Sequence, residues 1–146
     1  MILAGDIGGT SARFALFDVF DGRLKPVIEH TYSSREHRNL DDIVRLFVTQ
    51  HRQWVDRACF GIAGPVKNGQ VKTPNLAWVV EADRLARELN LRTVSLINDL
   101  EANAYGISEL GPQDFVILNQ GAPDAHGNAA VISAGTGLGE AGLYWD

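Results

Sequence analysis

The chain has 146 residues and a net charge of −5, from 13 basic and 18 acidic side chains. The length sets a prior of one domain, and the acidic balance argues against nucleic acid or an anionic membrane surface as partner. No apolar run approaches the ~18 residues of a membrane span, and Cys59 is the sole cysteine, so no internal disulfide forms and a cytoplasmic location is expected.

In chain order, apolar runs at residues 2–7, 12–20 and 27–32 predict three strands. Asp21-Gly22 predicts a tight hairpin between the second and third, so the chain opens as an antiparallel meander. Residues 39–53 switch to helical spacing, with Leu40, Ile43, Val44, Phe47 and His51 on one stripe. A short strand over 57–63 ends at Gly64-Pro65, which must turn. A second helix is predicted over 81–89, with Ala82, Leu85, Ala86 and Leu89 on one face, and a strand over 93–97. Asn98 and Asp99 close that strand where the following helix needs an N-cap. Strands alternating with helices after residue 39 predict an α/β domain.

Gly111-Pro112 is the expected boundary, giving a small α/β domain over 1–110 and the start of a large one over 111–146. Strands are predicted at 115–118 and 129–133, separated by a polar loop over 119–128. About 35 residues rarely close a core alone. Phe115, Ile117, Ile132, Leu143 and Trp145 are therefore expected to lack cover, and the chain to be the N-terminal part of a longer protein.

Two Gly-rich hairpins carry the chemistry. Residues 2–17 place Gly8-Gly9-Thr10 between apolar strands, and residues 130–144 repeat the plan around Gly135-Thr136-Gly137. Such turns leave backbone N–H groups and a hydroxyl unscreened, which suits a phosphate; two facing loops would grip a polyphosphate from both sides. An ordinary hairpin turn is the plainer reading of Gly8-Gly9-Thr10 alone. Asp6, at the mouth of the first turn, is a carboxylate able to hold a metal ion. Gly137-Leu138-Gly139-Glu140-Ala141-Gly142 matches a dinucleotide-binding spacing, but the residues after it read as strand rather than helix, and no P-loop pattern exists. The four histidines show no metal-ligand spacing. Asn98-Asp99 reads either as a helix cap or as a ligand site, since α/β sheets bind ligands at the carboxyl ends of their strands. There a carboxylate takes a proton from a hydroxyl and the amide orients it. Thr73-Pro74-Asn75-Leu76-Ala77-Trp78 reads equally as loop or as sugar-facing surface.

Together, D-I-G-G-T-S-A-R at 6–13, G-I-A-G-P-V at 61–66, T-P-N-L-A-W at 73–78, I-N-D-L-E-A at 97–102 and A-G-T-G-L-G at 134–139 resemble the bacterial ATP-dependent glucokinases in order and spacing. The resemblance covers the whole chain. It implies the actin-like (ribonuclease H-like) sugar-kinase fold, a mixed sheet flanked by helices, with two α/β domains closing over a cleft. It implies that Gly5, Asp6, Ile7, Gly8, Gly9 and Thr10 form the first phosphate loop for ATP, with Mg²⁺ at Asp6. Thr136 and Gly137 would form the second loop, with Gly137 also near the substrate. Asn98, Asp99 and the more weakly matched Asn75 would bind glucose, with Asp99 as general base on its 6-hydroxyl. A homodimer is implied for the complete enzyme. The family's Glu-x-Gly-His segment, a further Glu and the adenine pocket are not among these residues, so the 146-residue chain alone is expected to be inactive. A related group carries a Cys-rich zinc motif that one cysteine cannot supply. A non-catalytic sugar sensor of the same fold and a kinase for another hexose are the alternatives.

Overall fold

Three strands open the chain as the apolar runs require: β1 (Ile2–Ile7), β2 (Ser11–Phe20) and β3 (Arg23–Ser33). They belong to a computed structural model that describes residues 1–135 and 137–145. Asp21 and Gly22 join β2 to β3 with φ of 51° and 74°, the paired left-handed geometry that matches the strand twist. β3 begins earlier than the sequence predicts and runs through Pro26, opposite Phe17, where the register shifts after Leu16. Proline is tolerated there because β3 is an edge strand and the bulge absorbs the missing donor.

Helix α1 (Leu40–His51) follows, capped by Asn39, whose Oδ1 accepts from Asp42 N–H at 2.8 Å. Of its predicted stripe, Leu40, Ile43, Val44 and Phe47 are fully buried and His51 is half-buried. The chain then enters β4 (Arg57–Ile62), a small hairpin of β5 (Gln70–Lys72) and β6 (Val79–Glu81), α2 (Ala82–Glu88) and β7 (Thr93–Asn98). The main sheet has the order β3-β2-β1-β4-β7. β1, β4 and β7 are parallel neighbours, whereas β2 and β3 run antiparallel. The mixed sheet and its helices make the α/β class that the sequence predicts.

Alternation along each strand sorts the faces. Leu3, Ile7, Ala12, Phe14, Leu16, Ala58, Phe60, Ile62, Val94 and Leu96 share the buried face. Phe14 lies at its centre, its ring 5.5 Å from Phe47 of α1 and 6.0 Å from Phe60. Burying each such ring stabilises the fold by about 1.5–3 kcal/mol.

The chain divides into two compact units, Met1–Asp99 and Leu100–Asp146, earlier than at Gly111-Pro112. That dipeptide does turn: Gly111 N–H donates to Asp114 Oδ2 at 2.8 Å. A turn is a local backbone event, however, while a unit follows from packing. Leu100 already packs over Gly139, where a Cβ would lie 2.6 Å from Leu100 Cδ2.

The second unit holds most of α3 (Asp99–Gly106) and a hairpin of β8 (Ala129–Ala134) and β9 (Leu138–Leu143). The strand predicted over 115–118 is absent: these residues have no regular structure. Val116 and Leu118 are 84 % and 95 % exposed, and an apolar run becomes a strand only where a neighbour supplies the ladder. Among the described residues no helix is long and apolar enough to cross a membrane.

Candidate functional site

The parallel strands of the first unit end together. Register places Ile7 beside Ile62 and Ile62 beside Asn98, so the segments that follow β1, β4 and β7 emerge along one edge of the sheet. These segments are Gly8-Gly9-Thr10, Ala63-Gly64 and Asp99. This is the edge at which open α/β sheets bind ligands. Asn75 comes to it from the loop between β5 and β6 and meets Gly9: a Cβ on Gly9 would stand 2.9 Å from Asn75 Cβ. The structure thus brings together Asp6, Gly8, Gly9, Thr10, Asn75, Asn98 and Asp99, predicted from separated motifs.

Gly8 and Gly9 have no positive φ, so backbone freedom does not explain them. At Gly9 the reason is the close approach of Asn75. Gly5 lies within β1, where a Cβ would stand 2.6 Å from Phe60 Cδ1; packing on that ring accounts for it. Ile7 is 1 % exposed, so its side chain belongs to the core and only its backbone is offered to a ligand.

Asp6 sits opposite Arg13 and beside Gly61, on the sheet face away from Phe14. Asp6 is exposed, and partial desolvation beside the strand ends raises its carboxyl pKa; the Arg13 guanidinium works against that shift and the Asp99 carboxylate adds to it. Asp6 and Asp99 therefore feel each other, and a cation between them and a polyphosphate would relieve the repulsion. Among the described residues no group of three His, Cys, Asp or Glu side chains could hold a metal. A metal here would need ligands from its substrate, as Mg²⁺ commonly takes.

The first loop is anchored from beneath. Gly8 N–H donates to Ser11 O at 2.9 Å, Ser34 Oγ donates to Gly8 O at 2.8 Å, and Ser34 N–H donates to Thr10 O at 2.9 Å. Ser34 is fully buried and begins a single 3₁₀ turn, Ser34–Glu36, directly after β3. Sequence reasoning missed it. Ser33-Ser34-Arg35-Glu36 reads as an ordinary polar turn, and the partner of Ser34 lies 26 residues earlier.

Asn75 has a comparable support. Thr73, itself buried, donates from Oγ1 to Leu76 O at 2.7 Å and from its N–H to Trp78 O at 3.1 Å, closing the turn that carries Asn75. The undecided Thr73–Trp78 segment is thus a loop at the site edge. Asn98 Nδ2 donates to Gly64 O at 3.0 Å, which ties the end of β7 to the loop after β4. Asp99, half-buried, is the first residue of α3.

In the second unit Gly135-Thr136-Gly137 joins β8 to β9. Thr136 lies outside the described residues. Gly135 N–H donates to Gly137 O at 2.9 Å, and a Cβ on Gly137 would meet nothing within 4 Å. Gly139, the second glycine of the dinucleotide-binding spacing, makes room for Leu100. Residues 138–143 form a strand, so the Gly137–Gly142 spacing has no helix on which to place a dinucleotide.

Residues 3–146 match the glucokinase family model. The chain is 39 % identical over 143 residues to the glucokinase of a Nostoc species, covering 96 % of this chain and 42 % of that protein. It is 35 % identical to the crystal structure of a glucokinase from an Antarctic psychrotroph, with a TM-score of 0.84 over 98 % of this chain and 46 % of that one. A glucokinase of the ROK family from Streptomyces griseus, solved with glucose and AMPPNP, shares the fold at a TM-score of 0.69 and 24 % identity. That likeness covers 98 % of this chain and 44 % of that one. The architecture is thus that of the sugar kinases, the actin-like fold expected from the sequence. The chain spans about two fifths of the length of the curated relatives it matches.

Proposed function

The chain belongs to the glucokinase family, and from that premise we propose that the whole protein transfers the γ-phosphoryl group of ATP to the 6-hydroxyl of glucose. Asn98 orients the sugar and Asp99 takes the proton from its 6-hydroxyl. The freed oxygen attacks the γ-phosphorus, the bond to the β–γ bridging oxygen breaks, and ADP leaves as glucose 6-phosphate forms. Gly8-Gly9-Thr10 and Gly135-Thr136-Gly137 hold the phosphates by backbone N–H groups and threonine hydroxyls. Little covalent work falls to the protein in such a transfer, so positioning and charge stabilisation carry the rate.

Asp6 is the residue that would hold Mg²⁺, with the remaining ligands from ATP. The ion supplies charge neutralisation on the phosphates, which suits a carboxyl already crowded by Asp99. Asn75 contributes to the sugar side. The charged product crosses a bilayer poorly, which suits a cytoplasmic step at the entry to glycolysis, in a homodimeric enzyme.

The observation that carries this reading is the position of Asn98 and Asp99 at the carboxyl end of β7, beside the ends of β1 and β4. Replacement of Asp99 tests it. In the full-length protein, Asp99→Ala is expected to lower kcat by about 10²- to 10⁴-fold while ATP binding survives. A helix cap predicts instead a stability loss of about 0.5–2 kcal/mol with turnover near normal. Melting and kcat on one preparation separate the two. Absence of glucose-dependent ADP release from the unaltered protein would favour a sugar sensor, and faster turnover of another hexose would move the substrate.

A further inference from the structure

We propose that Ser34 is the positioning residue of the first phosphate loop, setting the direction in which the Gly9 N–H is offered to a nucleotide phosphate; this rests on the phosphotransferase reading above. The peptide between Gly8 and Gly9 is planar and trans, so the Gly8 carbonyl and the Gly9 N–H point in opposite directions. The Ser34 hydroxyl holds Gly8 O at 2.8 Å from the buried side, which turns the Gly9 N–H away from Ser34. The Ser34 N–H holds Thr10 O at 2.9 Å. One buried residue therefore fixes both ends of the Gly8–Thr10 segment.

What this leaves is specific. Gly8 N–H is already committed to Ser11 O, whereas the N–H groups of Gly9 and Thr10 take no partner among the described residues. These are the two donors that an anion would find preformed. Without the anchor, two peptide planes flanked by glycine would sample other orientations, and ordering them on binding would cost affinity. Ser34 is suited to the task because it is fully buried: water cannot substitute for its hydroxyl, and an unpaired Gly8 carbonyl would be costly.

The test uses the full-length protein and MgATP as probe. Ser34→Ala is expected to weaken ATP binding by about tenfold in titration calorimetry, with KM for ATP rising alike. KM for glucose should stay within about twofold, because a general loss of structure would move both substrates together. Ser34→Cys keeps the volume with a much weaker donor and decides the matter if the alanine variant does not fold. ATP affinity unchanged in whichever variant folds would overturn the proposal. Failure of the kinase reading looks different: the unaltered protein would bind ATP yet phosphorylate no sugar, and the titration would still judge Ser34. If the unaltered protein binds no ATP, the proposal falls with the loop.

Discussion

Beneath the β1–β2 turn lies a closed core: Leu3, Ile7, Ala12 and Phe14 are each at most 2 % exposed, and α1 presses Phe47 onto them. The β8–β9 turn has the same glycine plan but another setting. In its unit Ala104 is the sole buried hydrophobic residue among those described, while Ile132 is 67 % and Leu138 69 % exposed. Glycines leave the backbone free to take a ligand-ready shape in both places. What lies under the turn decides whether that shape is held, and in the first unit Ser34 and the sheet hold it. The first loop is therefore preorganised within residues 1–99, whereas among the described residues of the second unit little apolar surface is buried.

The widest contrast is in core truncation. Phe14→Ala removes the ring that Tyr32, Phe47 and Phe60 all touch and is expected to cost about 3–5 kcal/mol. Ile132→Ala in β8 should change stability by no more than about 0.5 kcal/mol. Urea unfolding of both variants checks the pair. Equal losses would mean that the second hairpin is buried as deeply as the first, which would break the comparison.

A sharper contrast lies in the turn glycines. Gly9→Ala would set a methyl 2.9 Å from Asn75 Cβ, and relieving that overlap should cost about 1–3 kcal/mol. Gly137→Ala meets nothing within 4 Å and should leave stability within about 0.5 kcal/mol. Melting temperatures of the two variants decide it, and a tolerant Gly9 would mean that the Asn75 loop yields readily.

The same distinction explains how much of the molecule could be read in advance. Local signals carried far: Asp21-Gly22 produced its turn, and Leu40, Ile43, Val44 and Phe47 of the predicted stripe produced its buried face. The edge holding Asp6, Asn75, Asn98 and Asp99 was legible as separate motifs because each stands at the end of a readable strand or in a polar turn. Features that depend on a distant partner were not legible. Residues 115–118 look like a strand and find no ladder. Pro26 looks like a strand boundary and is absorbed at an edge bulge. Gly139 looks like part of a dinucleotide-binding spacing and is covered by Leu100. Ser34 looks like an unremarkable turn residue until Gly8 O is placed beside it.

The smallest expected effect concerns Asp6, an exposed carboxylate at the preorganised edge. Partial desolvation and the Asp99 carboxylate raise its pKa, and Arg13 only partly offsets them. A carboxyl whose pKa is higher folded than unfolded contributes stability that is fully present below the unfolded value and is lost as pH rises through the folded value. Ionised Asp6 thus opposes folding at neutral pH. Asp6→Asn should therefore melt above the unaltered protein near neutrality, with the gap closing as pH falls through the carboxylate range. Saturating MgATP should reverse the order if Asp6 is the Mg²⁺ ligand proposed above, because asparagine supplies no charge to hold the ion. Melting curves from pH 4 to 8, with and without MgATP, test both halves. A variant less stable at pH 7 in the absence of ligand would show that the attraction to Arg13 outweighs partial desolvation and Asp99.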